Sequence, residues 1–230
     1  MAKNKDKTED KIAAVEVALD RSEQFLEKNK NLLFYILLGV IVVVGGIFAY
    51  KKFIKGPKEL EAQAQMFQAE HYFEKDSLKL AMNGDGTNPG FIQIIDDYGS
   101  TKSGNLAKYY LGICYLKQGD FQNAIDNLTS FSSDDQIVGP MAIGATGDAY
   151  MELGQTDKAI EYYLKAAKKK DNDFTASMFL QKAGWAYEIL GQYDKAIEVY
   201  TKIQKEHNKS FEARDIDKYI ARAKGLSGTK

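Results

Sequence analysis

The chain has 230 residues, 44% of them hydrophobic and 27% charged, so most of it is able to fold around an apolar core. Its 31 basic and 32 acidic residues leave a net charge of −1, which argues against a nucleic-acid-binding protein that depends on phosphate contacts. One cysteine and two histidines, His71 and His207, exclude a disulfide framework and leave little for a metal site.

Residues 1–30 form a charged tail in which mostly apolar residues recur at the spacing of a helix. They occupy one side of that helix, at Ile12, Val15, Leu19, Ser22 and Leu26. We expect the tail to lie on a membrane surface or to pack on a partner. A solvated helix that leads into the next segment explains the pattern equally well.

Residues 31–50, NLLFYILLGVIVVVGGIFAY, contain no charge. As a helix they would be about 30 Å long, which matches the hydrocarbon core of a bilayer. A buried helix of a soluble domain is a much weaker interpretation, because uncharged runs of this length are rarely anything else. A cleaved signal peptide fits poorly, because the run is long, starts late and ends in Lys51 and Lys52. We predict one transmembrane helix, followed by a linker at 51–57.

Basic residues flank this predicted helix on both sides. The tail has seven Lys or Arg, and four lysines follow within eight positions, at Lys51, Lys52, Lys55 and Lys58. The whole tail favours a cytoplasmic N-terminus, whereas the close flanks are nearly equal. Charge alone leaves the orientation open.

The segment 58–103 is predicted to be a degenerate helical hairpin. A long helix over 58–82 and a shorter one over 89–98 are joined by the sequence NGDGTN. This sequence partly matches a calcium-binding loop, but Asn88 and Ile94 stand where that loop requires Gly and Glu. We therefore predict a turn without a metal ion.

The segment 104–206 contains three repeats. Four residue types recur in register, first 35 and then 37 residues apart, in the columns Gly112, Gly147, Gly184; Tyr115, Tyr150, Tyr187; Gly119, Gly154, Gly191; and Ala124, Ala159, Ala196. Such agreement predicts three stacked helical hairpins, since one hairpin alone leaves its apolar face uncovered.

The recurring residues have separate expected roles. The first Gly and the Ala are small where the two helices of a hairpin cross, and the second Gly ends the first helix in a left-handed conformation. The Tyr fills the space between successive hairpins. An apolar stripe further on predicts a capping helix over 207–224, ahead of a disordered end at 225–230; the stripe is Ala213, Ile216, Ile220 and Ala223.

The repeats resemble the tetratricopeptide repeat (TPR), whose pattern is Leu-Gly-x2-Tyr, then Ala-x3-Phe, then Ala. The matching residues are Leu111, Gly112, Tyr115, Ala124, Leu128 and Phe131; Gly147, Tyr150, Ala159, Tyr163 and Ala166; and Gly184, Tyr187, Ala196, Tyr200 and Ile203. The Trp of the consensus is absent, with Lys108, Ile143 and Leu180 in its place. The resemblance implies an all-α solenoid of hairpins after the transmembrane helix.

In this family the first helix of each repeat lines a concave groove. Carried over from the aligned Gly, the predicted partner-binding groove consists of Leu106, Tyr109, Ile113, Leu116, Met141, Asp148, Met151, Met178, Gln181, Trp185 and Glu188, with Gly144 among them. Relatives that capture a carboxylate use Lys, Arg and Asn there, and this set has none of them. Methionines and aromatic residues instead suit an apolar helix or extended segment. Equally, the last helix could fill the groove as an internal cap.

The sequence offers no catalytic centre. It contains neither G-x-S-x-G nor a phosphate-binding G-x4-G-K-[ST], and Cys114 lies inside a repeat helix where a small buried residue is expected. His71 and Glu74 share a helix but have no second histidine nearby. We predict a non-enzyme without catalytic residues, cofactor, metal or small-molecule substrate.

The whole arrangement resembles the YfgM-like family of ancillary Sec-translocon subunits. The resemblance covers about residues 22–220 and includes the anchor segment SEQFLEKNKNLLFYILLGVIVVVGGIFAYKKF. It implies a single-pass protein of the bacterial inner membrane with its N-terminus in the cytoplasm and its repeats in the periplasm. It also implies the SecYEG channel and a periplasmic prolyl isomerase-like chaperone as partners, besides membrane lipid. Alternatives are a scaffold of another envelope assembly or secretion complex and a cytoplasm-facing adaptor.

Overall fold

The computed structural model describes residues 3–228, with side chains from residue 26 onward. It divides into two compact units, Met1–Pro57 and Lys58–Lys230. The described residues form α1 (Lys3–Tyr50), a π-helical turn (Lys51–Lys55), α2 (Gly56–Glu74), α3 (Leu78–Asn83), α4 (Phe91–Tyr98), α5 (Lys102–Gln118), α6 (Phe121–Ser130), α7 (Val138–Glu152), α8 (Thr156–Lys169), α9 (Thr175–Ile189), α10 (Tyr193–Glu206), a 3-10 turn (Glu212–Arg214) and α11 (Ile216–Ser227). The all-α prediction, with one apolar helix before a solenoid of hairpins, is confirmed.

The first unit contains the uncharged run. Residues 31–50 lie within α1, and every side chain among them except that of Leu33 is exposed. By length and composition this helix is long and apolar enough to cross a membrane. Residues 51–57, expected to be a linker, are helical. The predicted stripe of the tail, apart from Leu26, lies outside the residues whose side chains are described.

The second unit begins with a hairpin that differs from the one expected. The predicted single helix over 58–82 is wrong, because the chain breaks at Asp76, whose φ is 55°. The Ser77 N–H donates to the Tyr72 carbonyl, and α3 starts at the next residue. The break turns Ala81 and Met82 into the same apolar cluster as Met66 of α2.

The sequence NGDGTN forms a turn, as predicted. The carboxylate of Asp85 accepts the N–H groups of Thr87 and Asn88, both at 2.7 Å. It also accepts the Tyr72 hydroxyl at 2.7 Å. These hydrogen bonds, of which the one from Tyr72 has the largest effect, hold the pKa of Asp85 well below its usual range.

The three repeats form the hairpins α5–α6, α7–α8 and α9–α10. Each first helix runs into a left-handed glycine at the turn, with φ of 80° at Gly119, 70° at Gly154 and 69° at Gly191. This conformation, unfavourable for other residues, lets the Gln155 N–H reach the Tyr150 carbonyl at 2.9 Å. The predicted role of the turn glycines is confirmed.

The small residues of each hairpin make room for a larger one. A Cβ atom on Gly147 would meet the Tyr163 ring at 2.7 Å, and one on Gly184 would overlap the Tyr200 ring. Ala124, Ala159 and Ala196 are fully buried. The first glycine therefore packs mainly against the side chain four residues after the recurring alanine, which is Leu128 in the first repeat.

The C-terminal helix starts later and ends later than predicted. Residues 207–215 contain a 3-10 turn, and α11 runs from Ile216 to Ser227, so the expected capping helix over 207–224 needs correction. The expected disordered end at 225–230 is wrong for residues 225–227, which are helical, whereas residues 229 and 230 lie outside the described residues. Ile216, Ile220 and Ala223 are buried, as the stripe indicated. Ala213 instead lies in the 3-10 turn.

Overpacking at Ala159 tests this packing. The Ala159→Leu variant should lose about 1–3 kcal/mol in free energy of unfolding, because the added atoms meet a completely filled crossing. Ala64→Leu, on the exposed side of α2, is the matched control and should be nearly neutral. Chemical denaturation followed by circular dichroism measures both. Equal stability of the two variants would contradict the hairpin packing.

Candidate functional site

The predicted groove residues all lie on the first helices of the repeats, α5, α7 and α9. The structure brings some of them together in two separate depressions. Leu116, Asp148 and Met151 line one of about 500 Å³, which Lys117, Phe121 and Glu152 complete. Trp185 and Glu188 line another of about 670 Å³.

The second depression is lined mostly by aromatic and aliphatic residues. It lies between α9, α10 and α11, and its further lining residues are Ile189, Tyr193, Tyr219, Arg222 and Leu226. Trp185 is 39% exposed, Ile189 66% and Leu226 55%. The Trp185 and Tyr219 rings lie 6.0 Å apart. Aromatic and aliphatic surface of this kind suits an apolar protein segment.

Other members of the predicted set belong to the packing between helices. The Tyr109 ring lies 5.6 Å from that of Phe131 and packs against the cluster that contains Ala142 of α7. Leu106, Ile113, Met141 and Met178 are likewise half-buried against the apolar clusters. Gly144 is closed by the Phe179 ring. Tyr109 is therefore less suited to serve as a partner anchor than Trp185.

Both acidic residues of the set are engaged inside the protein. Asp148 accepts the Tyr163 hydroxyl at 2.7 Å and the Lys182 ammonium at 2.7 and 2.8 Å. Glu188 accepts the Tyr200 hydroxyl at 2.9 Å and forms an ion pair with Arg222 at 2.7 Å. The two acids thus join one repeat to the next helix.

Lys182 and Arg222 were not among the residues predicted from the sequence. Each lies 34 residues after the acid that it pairs with, which is close to the length of one repeat. A search for opposite charges at the repeat spacing could therefore have identified both residues. Burial is the main reason that the pKa of Tyr163 and the pKa of Tyr200 are raised, with the neighbouring acid adding to it. Both hydroxyls consequently remain donors to these acids at physiological pH.

The last helix, α11, covers only one end of the predicted groove. It packs against α10 and the 3-10 turn, and it reaches α9 through Tyr219 and Arg222. It therefore takes the place that the first helix of a further repeat would occupy. The alternative in which the last helix fills the groove applies to the third repeat alone.

Residues considered for chemistry have structural roles where they are described. Cys114 is fully buried, and burial raises the pKa of its thiol to about 12. His207 is also buried, with Nδ1 3.2 Å from an Asp173 carboxylate oxygen. From residue 26 to 228, no group of three or more His, Cys, Asp or Glu side chains is arranged to hold a metal ion.

Comparison with known proteins supports the repeat assignment. Two family models, each described as tetratricopeptide repeat, match residues 106–134 and 145–211. No curated protein sequence matches the chain significantly.

Solved structures show the same fold. A crystal structure of a singly substituted form of nearly identical TPR-like repeats, from a kinesin light chain candidate of Podosopora anserina, is 17% identical with a TM-score of 0.55. The match covers 77% of this chain and 90% of that one. The form without this substitution gives 16% identity, a TM-score of 0.54, and coverage of 74% and 88%. At such identity the likeness concerns the fold alone. The family models assign residues 106–134 and 145–211 to tetratricopeptide repeats, and such repeats indicate a protein–protein interaction module.

Proposed function

We propose that the chain is a single-pass membrane protein whose repeat unit binds protein partners through the face formed by α5, α7 and α9. The main supporting observation is the uncharged helical segment 31–50, in which every side chain except that of Leu33 is exposed. Exposure of so much aliphatic surface in water is unfavourable, whereas a bilayer removes that cost. Attached to such an anchor, the repeats hold a binding surface at the membrane.

The depression lined by Trp185 and Ile189 is the proposed binding site for the partner. Rigid aromatic side chains that are partly exposed contribute much of the affinity at protein interfaces. Asp148 and Glu188 are paired within the protein, so partner recognition there depends on apolar contact more than on charge. An apolar helix or extended segment is the matching partner.

We further propose that the anchor lies in a bacterial inner membrane with the repeats in the periplasm. The resemblance to the YfgM-like family supports this orientation. The lysines at 51, 52, 55 and 58 do not oppose it, because long domains are translocated largely regardless of charge. In this role the chain is an ancillary translocon subunit. Its tail and anchor contact SecYEG, and its repeat face binds a chaperone or an emerging client.

Co-purification of two variants tests the division between anchor and face. Trp185→Ala combined with Ile189→Ala removes exposed apolar surface without touching the filled hairpin crossings. We expect this variant to keep SecYEG and to lose its soluble partner by roughly tenfold or more. Phe211→Ala, which removes an aromatic ring that is 74% exposed elsewhere on the unit, is the control and should retain both.

Three results would contradict separate parts of this proposal. Undiminished recovery of the soluble partner by the double variant would refute the repeat face as the binding site. Recovery of a different envelope complex in place of SecYEG would support the scaffold alternative. A fusion reporter after Lys230 that is active only in the cytoplasm would reverse the orientation.

A further inference from the structure

A groove outside the predicted concave set runs between α8 and α10. Its volume is about 900 Å³, and its sides come from the second helices of the second and third repeats. The apolar lining consists of Leu164, Ala167, Leu180, Tyr187 and Val199. It is thus separate from the face proposed above.

The neighbouring groove, between α6 and α8, shows why this one is open. Its volume is about 240 Å³, and Tyr162 is among the residues that line it. The Tyr162 ring lies 5.2 Å from the Tyr150 ring. In the repeat register Val199 takes the place of Tyr162, and Tyr187 that of Tyr150. No second ring from α10 covers Tyr187, so the larger groove stays open.

The rim of the open groove is basic. Exposed lysines line both sides, with Lys168 on α8 and Lys195, Lys202 and Lys205 on α10, against the two acids Glu198 and Glu206. Lys202 pairs with Glu206 at 3.6 Å. Within the described residues, Lys168 and Lys205 have no acidic partner. Lys195 donates to the Gln192 side-chain oxygen at 2.8 Å and lies over the Tyr187 ring. The groove therefore combines an apolar floor with a rim on which four lysines face two acids.

We infer that this groove binds an acidic amphipathic helix of a partner protein. Aliphatic side chains of that helix contact Leu164 and Val199, and its carboxylates pair with the lysines. Lys195 and Lys202 are seven residues apart, which is about 10 Å or two helical turns. Acidic residues seven apart on a partner helix match this spacing. A lipid phosphate would instead require the amines to converge on one point.

A peptide-binding measurement tests the inference on the full chain in phosphatidylcholine nanodiscs. The probe is a labelled amphipathic peptide of about four helical turns, with leucine on one face and glutamate on its flanks. Its matched peptide has lysine in place of every glutamate. We expect the glutamate peptide to bind at least roughly tenfold more tightly. Polyglutamate of equal length measures the effect of charge alone and should bind weakly.

Variants then locate the binding site. Val199→Tyr copies the neighbouring repeat and should fill the groove, lowering affinity roughly tenfold. The double variant with Lys195→Glu and Lys202→Glu should also lower the affinity for the glutamate peptide, and it should raise the affinity for the lysine peptide. Lys158→Glu with Lys165→Glu, at the equivalent positions of α8, are the controls and should change little. Because the charge variants are on the surface, they remain informative even if Val199→Tyr unfolds.

Several outcomes would overturn the inference. Equal binding of both peptides, or no loss of affinity in the Lys195/Lys202 variant, would place binding elsewhere. If polyglutamate bound as tightly as the amphipathic peptide, the groove would be a basic surface without preference for an amphipathic helix. A preference for phosphatidylglycerol vesicles over the peptide, abolished by the same variant, would assign it to lipid. The Trp185 variant should leave peptide binding unchanged, which separates this test from that of the proposed function.

Discussion

Replacing Tyr200 with alanine is expected to lower the free energy of unfolding by roughly 3–5 kcal/mol. Tyr200 is completely buried, and its ring fills the space left by the missing side chain of Gly184. Its hydroxyl also donates to Glu188 at 2.9 Å. The substitution removes the ring and leaves a cavity between the helices of the third hairpin, which the backbone cannot close easily.

Two further variants separate the ring from the hydroxyl. Tyr200→Phe keeps the packing and loses only the hydrogen bond to Glu188, so we expect a loss of about 1 kcal/mol. Tyr193→Ala, at a half-exposed ring of the same helix, should also cost far less than Tyr200→Ala. Denaturation of the purified full chain in detergent gives the values. If Tyr200→Ala were as stable as Tyr200→Phe, the ring would not be the central support of this hairpin.

Replacing Val42, Val43 and Val44 with lysine is expected to abolish membrane integration. Each lysine at the centre of a membrane helix costs roughly 2.5–3.5 kcal/mol, so three of them exceed what the remaining apolar residues contribute. The wild-type chain should resist alkaline extraction from membranes, and the variant should appear in the soluble fraction.

Leucine at the same three positions provides the control, because it preserves apolar character and length. That variant should remain in the membrane. Retention of the lysine variant after alkaline extraction would mean that something other than residues 31–50 holds the protein there, and the proposed anchor would be wrong.

The repeats could be predicted because their residues act at fixed spacing within one hairpin. The glycines at 119, 154 and 191 needed a left-handed conformation, and the alanines at 124, 159 and 196 needed a close crossing. Both requirements are local and repeat in register. The break at Asp76 was not predictable in this way, since the segment 58–82 reads as helix. The buried positions of Ala81 and Met82 beside Phe91 and Ile94 accompany that break.

The predicted groove residues lie on the first helices of the repeats, but the side chains that surround them were not predicted. Spacing from the recurring glycine indicates which residues face a given side, yet it does not indicate which neighbours fill that side. Tyr109 packs on Phe131, which follows the second helix of its own hairpin, and Asp148 accepts hydrogen bonds from Lys182 of the next hairpin. The sequence shows that Val199 occupies in the third repeat the position that Tyr162 has in the second. The groove that accompanies this difference became evident only from the packed helices.

Site-specific photocrosslinking in intact bacterial cells tests most directly whether the repeat face binds a protein. A photoreactive phenylalanine analogue would replace Ile189, on the proposed face, or Lys224, which is exposed on α11. Binding at the repeat face predicts a discrete crosslinked protein from position 189, lost on addition of Trp185→Ala, and none from position 224. A crosslink from 224 with none from 189, or one from 189 that Trp185→Ala leaves unchanged, would contradict it.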